Sequence, residues 1–270
     1  MTGDSPDELI ARLQRARVFD LSQTVHPEMP QLPGLPRLSL SLVRRHGDSR
    51  RGEGYSSAQD LLVTLSHAGT HIDAIGHVSV DGRLHGDLPA GEVQTGVRGL
   101  NRLGIDAVDP IVRRGVLLDV AGLLGVPALE PAFGIGGELL ERCRAAAGVE
   151  LRPGDVVLVR TGWGRFWDEP DRYVSRQDGL PGVDADGAAW LADRRPFATG
   201  ADCLMYERFD PADNRLQVHS RLIQGAGIHL IENMNLESLA ASGVVEFAFV
   251  ALPLRVIGAT GSQIRPIALA

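Results

Sequence analysis

The segment His67-Ala-Gly-Thr-His71-Ile-Asp73-Ala-Ile-Gly-His77 puts three imidazoles and one carboxylate within eleven residues, directly after the apolar run Leu61–Leu65. Imidazole and carboxylate are the ligands that suit Zn²⁺, Mn²⁺ or Fe²⁺. His67 and His71 have the i, i+4 spacing of a helical zinc pair, but Gly69 and Thr70 argue against a helix there. A tight turn at Gly69 would point both rings back at one ion. Asp73 then falls on the same face as His71 if the segment is extended, because side chains alternate along a strand.

Farther along, His219 and Glu232 stand thirteen residues apart across a helix–strand turn. A fold that carries this turn to the first segment adds a fourth and a fifth ligand.

Around these segments, strand and helix signals are mixed throughout. Ser5-Pro6-Asp7-Glu8 is a helix start, with Ser as N-cap, Pro in the first turn and Glu able to reach back. Leu9, Ile10 and Leu13 give that helix one apolar face. Phe19–Val25 reads as a short strand, and a Pro-rich loop follows from His26 to Pro36. Leu38, Leu40 and Leu42 alternate with serines, the period of a half-buried strand. Val116–Val120 and Val156–Val159 read as buried strands, with a helix over Gly137–Gly148 between them. Further helices are predicted over Asp184–Asp193, His219–Gln224 and Asn235–Ala241, and strands over Gly227–Glu232 and Val245–Phe249. A single α/β domain over residues 1–270 is the economical reading.

Composition narrows the chemistry. The chain has 270 residues, 44% hydrophobic and 23% charged, which excludes a disordered or collagen-like protein. Its net charge of −7 gives no general pull on nucleic acid or anionic membrane. All 27 basic residues are arginine. Without lysine there is no Schiff-base chemistry, and Gly258-Ala-Thr-Gly-Ser262 cannot be a Walker A loop. Cys143 and Cys203 form no CxxC pair and no disulfide framework. No GxSxG elbow competes with a metal site. The start, Met1-Thr-Gly-Asp-Ser-Pro-Asp-Glu, lacks the apolar core of a signal peptide, and Val245–Ile257 is too short to span a bilayer. The expectation is a cytoplasmic protein acting on a small molecule, with neither nucleic acid nor membrane as partner.

His67-x-Gly-Thr-His71-x-Asp73-x-x-x-His77 resembles the signature of the metal-dependent cyclase family of hydrolases, which includes bacterial kynurenine formamidases and isatin hydrolases. The resemblance runs almost end to end. Asp20-Leu-Ser22, Met29-Pro30 and Pro33-Gly34 are similar to that family's opening. Thr161-Gly-Trp-Gly164, Gly200-Ala-Asp202, Glu207, His219, Glu232-Asn233, Pro253-Leu-Arg255 and Gly258-Ala-Thr-Gly-Ser262 follow in order. The resemblance implies a swivelling β/β/α fold, assembled as a homodimer, homotetramer or other homo-oligomer. It implies that His67, His71 and Asp73 hold one divalent ion and that Asp73 can bridge to a second held by His219 and Glu232. His77 matches the family's acid/base histidine. Zn²⁺ is the expected ion, with Mn²⁺ as the alternative, in one or two copies. One departure stands out: Leu32 occupies the place where kynurenine formamidases carry a Trp against their aromatic substrate, so a stacking face is lost.

The expected activity is hydrolysis of the C–N bond of a small amide, formamide or cyclic imide or lactam. The alternatives are an ester or lactone hydrolase, or a biosynthetic cyclase or dehydratase using the same metal and His77. A metal-binding module without catalysis ranks below these, since it would not require His77. Trp163 and Trp167 are read as core residues, and His229 as a second-shell or core residue. His26 is a possible but not favoured substrate contact. His46, His85 and the run Arg44, Arg45, Arg50 and Arg51 are read as surface.

Overall fold

Val116-Leu-Leu118 and Val156-Val-Leu-Val159 form the middle of the sheet because their side chains are apolar on both faces. The computed structural model describes residues 5–213 and 215–270; Met1–Asp4, the opening of the polar N-terminal stretch, lie outside them. Strands of three or more residues are β1 (Val18–Asp20), β2 (Ser39–Arg44), β3 (Gln59–Val63), β4 (His71–Asp73), β5 (Ile111–Asp119) and β6 (Val156–Arg160). They continue as β7 (Ala198–Ala201), β8 (His229–Glu232), β9 (Glu246–Ala251), β10 (Gly261–Gln263) and β11 (Ile267–Leu269). The longer helices are α1 (Pro6–Arg15), α2 (Gly137–Ala147) and α3 (Ala185–Arg194).

Nine strands make one mixed sheet in the order β1-β11-β9-β5-β6-β7-β8-β4-β10. β5, β6, β7 and β8 run parallel. The flanking pairs are antiparallel.

The central strands bury alternate side chains in two separate cores. Val116, Leu118, Val157 and Val159 pack with Leu140 and Cys143 of α2 and Ala188 and Leu191 of α3. Leu117, Val156 and Leu158 point the other way, onto Ile231, Leu239, Phe247 and Phe249. Strands covered on both faces read as unbroken apolar runs, as these do. Truncating the fully buried Leu158 to Ala would cost about 2–5 kcal/mol.

Local signals place the helix ends. Ser5 and Glu8 form the expected capping box, with Ser5 N–H donating to Glu8 Oε2 at 2.7 Å and Glu8 N–H to Ser5 Oγ at 3.3 Å. The Asp184 carboxylate accepts from the amides of Asp186 and Gly187 to open α3. Gly148 closes α2 in the left-handed region at φ 67°.

Two expectations need correction. The strand expected over Phe19–Val25 stops at Asp20, because the Asp20 carboxylate accepts from both the amide and the hydroxyl of Ser22 and bends the chain. The strand around Leu40 is not half-buried. β2 and β3 pair only with each other, away from the large sheet, so every residue of both is exposed. The apolar side of α1 is likewise uncovered, with Leu9, Ile10 and Leu13 about half exposed. Among the described residues no helix is long and apolar enough to cross a membrane.

Candidate metal centre

β4 brings the first histidine segment into the sheet between β8 and β10. Its register sets His71 opposite Glu232 on one side, and Asp73 opposite Gly261 on the other. The turn before β4 works as the glycine suggests: Gly69 has φ +68°, and a Cβ there would stand 3.2 Å from Val25 Cγ2. Gly69 O accepts from His71 Nδ1 at 2.8 Å and from Asn233 Nδ2 at 3.1 Å. With Nδ1 used as a donor, His71 turns Nε2 toward Asp73 Oδ1 (3.6 Å) and Glu232 Oε2 (3.4 Å).

The other donors converge on the same place. His67 Nδ1 lies 2.7 Å from Asp73 Oδ1, while its Nε2 bonds Thr260 Oγ1 at 2.8 Å. His219 Nε2 lies 3.2 Å from Glu232 Oε1, and its Nδ1 donates to Glu207 Oε1. Two sets of ligand atoms therefore gather within 4.8 Å: His67, His71 and Asp73, and Asp73, His219 and Glu232. Ligands held tetrahedrally at about 2.1 Å from one ion stand about 3.4 Å apart, close to several of these separations.

The donor chemistry passes the same test. Asp73 Oδ1 and Glu232 Oε1 are buried, and neither accepts an aligned hydrogen bond. Buried carboxylate oxygens that meet only imidazole nitrogens without aligned hydrogen bonds are costly, and a cation held between them removes that cost. Burial alone would raise the Asp73 pKa, but His67, His77 and His71 outweigh it and hold the carboxyl below its ordinary range. Glu232 is lowered in the same way, with His219 and His71 outweighing burial. For His219, burial opposes and Glu207 and Glu232 prevail, pushing the imidazole up to about 10.

His77 stands apart from the donor sets. Its ring stacks on His67 at 4.1 Å and faces the pocket, with no hydrogen-bond partner among the described residues. Desolvation lowers its pKa, and the neighbouring His67 and His219 add to the shift. The pocket in front of the cluster encloses 410 Å³.

All six residues singled out by sequence thus meet at one site: His67, His71, Asp73, His77, His219 and Glu232. Several supporting residues entered only through the family resemblance, with no role attached to them. Glu207 is buried and accepts from the Val218 amide, the His219 amide and the His219 ring. Gly261 leaves room for His67, since a Cβ there would come within 2.7 Å of His67 Cε1. The glycine-rich segment that cannot be a phosphate loop therefore shapes this site, through Thr260 and Gly261.

The remaining histidines sort as follows. His229 is buried and donates from Nδ1 to Asp73 O at 2.7 Å, bracing the loop side of β4. His26 pairs with Glu28 and does not line the pocket. His46 is exposed, as are Arg44, Arg45, Arg50 and Arg51. His85, expected at the surface, is half-buried instead, because Nδ1 donates to Gln224 O at 2.9 Å and the ring packs on Gly227. Trp163 and Trp167 are core residues, with their indole N–H groups donating to Tyr173 O and Thr24 O.

The family model described as "Putative cyclase" matches residues 19–208. The chain belongs to the cyclase family. This cyclase is 26% identical over 256 residues to the kynurenine formamidase of Sphingopyxis alaskensis, covering 93% of this chain and 97% of that one. It is 25% identical over 264 residues to the isatin hydrolase of Roseibium aggregatum, covering 93% and 91%. A crystal structure described as a novel cyclase superposes with a TM-score of 0.87 at 25% identity, over 99% of this chain and 94% of the other. Isatin hydrolase A from Ralstonia solanacearum shares the fold at a TM-score of 0.77 and 24% identity, over 100% and 99%. The α/β fold implied by the sequence resemblance is therefore the observed one. Kynurenine formamidase and isatin hydrolase are both hydrolases, and this chain is an enzyme of that type with donors suited to a divalent ion.

Proposed function

We propose that this cyclase hydrolyses the C–N bond of a small amide, formamide or cyclic imide or lactam. The observation that carries the reading is the convergence of two buried carboxylates, Asp73 and Glu232, with the nitrogens of His67, His71 and His219 at the floor of a pocket. His67, His71 and Asp73 would hold one divalent ion, and His219 and Glu232, with Asp73 shared, a second. Zn²⁺ suits the two imidazoles and one carboxylate of the first set; the second carboxylate makes Mn²⁺ the alternative. When bound, such an ion polarises a substrate carbonyl and makes water acidic enough to attack near neutral pH.

The side chains supply the rest. Gly69 O, Thr260 Oγ1 and Glu207 each engage the outward nitrogen of one imidazole, which turns the other nitrogen inward and keeps the ring from rotating. Among the described residues neither ring nitrogen of His77 has a hydrogen-bond partner, so it can take a proton from attacking water and return it to the departing nitrogen. Hydrolysis is then balanced: the carbonyl carbon gains the hydroxyl and the nitrogen gains the proton.

The reading extends to self-association as a homodimer or homotetramer, supported by the exposed leucines and valines of β2 and β3. Metal analysis of the purified protein, followed by an assay of amides, imides and lactams with the identified ion, tests the proposed activity. Protein that binds no divalent ion, or that cleaves none of these bonds when loaded, would contradict it.

A further inference from the structure

The wall of the 410 Å³ pocket has a chemistry distinct from that of its floor. Leu65, Val78 and Leu204 line it, and the more exposed Leu32, Leu35 and Leu216 continue the apolar surface outward. No Phe, Tyr, Trp or Arg is among the described residues that line it, and the chain has no lysine.

Apart from the donor cluster and His77, the polar side chains of the wall are Gln31, Ser66, Asn233 and Thr260. Three of these four are already engaged. Gln31 donates to Pro27 O and Met29 O and accepts from the Leu38 amide. Asn233 donates to Gly69 O and accepts from Tyr173 Oη. Thr260 bonds His67. Trp163 and Trp167 are fixed in the core and offer no ring to this space. A charged group carried by the substrate away from its reacting carbonyl would lose water here and find no countercharge. Away from the imidazoles of the floor, an aryl ring would find no Phe, Tyr or Trp face among the described residues to stack on.

We propose that the substrate of this site is an uncharged aliphatic amide whose short branched or alicyclic hydrocarbon part packs against Leu32, Leu35, Leu65, Val78, Leu204 and Leu216. The bond cleaved rests on the hydrolytic reading above; the preference for hydrocarbon rests on the wall alone. Cleavage adds water across the C–N bond, giving an aliphatic carboxylic acid and ammonia or an amine, with no oxidant or reductant involved.

The test separates binding from turnover. Propionamide, isovaleramide, benzamide and succinamate are titrated into the Zn²⁺-loaded protein by calorimetry or ligand-detected NMR, and released ammonia is measured in parallel. Affinity should rise about fourfold for each methylene between propionamide and isovaleramide. Isovaleramide should bind about tenfold or more tightly than succinamate, and more tightly than benzamide. Leu216→Arg removes one apolar wall contact and places a cation at the exposed rim, so it should raise succinamate affinity about tenfold, weaken isovaleramide several-fold and thereby reverse their order. Succinamate or benzamide binding as well as isovaleramide, absence of isovaleramide binding, or an unchanged order in Leu216→Arg would each overturn the inference. The expected binding order without ammonia release would leave the inference standing and overturn the hydrolytic reading instead.

Discussion

Glu232 is the register partner of His71 across the antiparallel pair β4–β8, with 3.4 Å between Oε2 and Nε2. Its other oxygen, Oε1, lies 3.2 Å from His219 Nε2. One carboxylate thus ties the segment that carries His67, His71 and Asp73 to the helix that carries His219. Directly opposed side chains on one face of a sheet are close enough to share an ion without any loop having to fold over them.

Glu232→Gln keeps the shape and removes the charge. It should lower metal stoichiometry or affinity and activity while leaving the ion of His67, His71 and Asp73 at least partly occupied. His67→Ala and His71→Ala should abolish both binding and turnover. Elemental analysis of the dialysed variants measures all three, and full metal content in either alanine variant would remove the assigned donor set.

His77→Ala should retain the metal and lose about 10²–10⁴-fold in turnover, the usual contribution of a positioned acid/base. The comparison is metal content against kcat in one preparation. Metal leaving together with His77 would make it a ligand and reverse its role.

Glu207→Gln should weaken the ion shared by Asp73, His219 and Glu232 by about 10–100-fold. The carboxylate accepts from the His219 ring and from the amides of Val218 and His219, which fixes the proton on Nδ1. An amide can instead present its NH₂ to Nδ1 and allow the ring to carry its proton on Nε2, the inward nitrogen. Competition with a chromophoric chelator reads the affinity, and thermal unfolding with excess chelator separates this effect from a loss of folding. Unchanged affinity would show that His219 needs no such support.

The buried thiols should be silent at neutral pH. Burial pushes Cys143 up to about 12, with Asp119 adding to the shift, and burial also raises Cys203. Neither should react with iodoacetamide at pH 8 until the protein unfolds. The unfolded thiol ionises first, so Cys143 contributes stability that declines as pH rises between about 9 and about 12. Rapid alkylation of the native protein would contradict this.

Self-association through the exposed hairpin gives a fifth outcome. Leu42 and Leu61 are more than half exposed on adjacent strands, so Leu42→Asp with Leu61→Asp should shift light-scattering mass toward the monomer without lowering the thermal midpoint of the monomer itself. A wild-type protein that is monomeric at all concentrations would remove the premise.

The first donor set was legible because its chemistry is local. His67, Gly69, His71 and Asp73 follow one another through a turn into a strand, so spacing alone predicts which side chains share a face. The central strands were legible for a similar reason: Val156–Val159 is apolar at every position because both faces of that strand are covered. Glu207 stood in the family resemblance but its role did not, since its partner His219 is fixed only by tertiary folding and a single glutamate has no pattern of its own. The leucines of β2 misled in the opposite sense. Alternation reports that a strand has two unlike faces, but not whether anything covers the apolar one, and here the ribbon lies off the large sheet.

The position of β4 bears on how the enzyme is made. Within the large sheet, β4 is hydrogen-bonded only to β8 and β10, both near the far end of the chain. A ribosome releases His67, His71 and Asp73 long before either neighbour exists. The nascent segment therefore leaves the exit tunnel with unpaired backbone and unbraced imidazoles, and it stays so until residues 229–263 have been translated. A chain interrupted before residue 229 would contain the most recognisable part of the sequence and none of the strands that hold it in place.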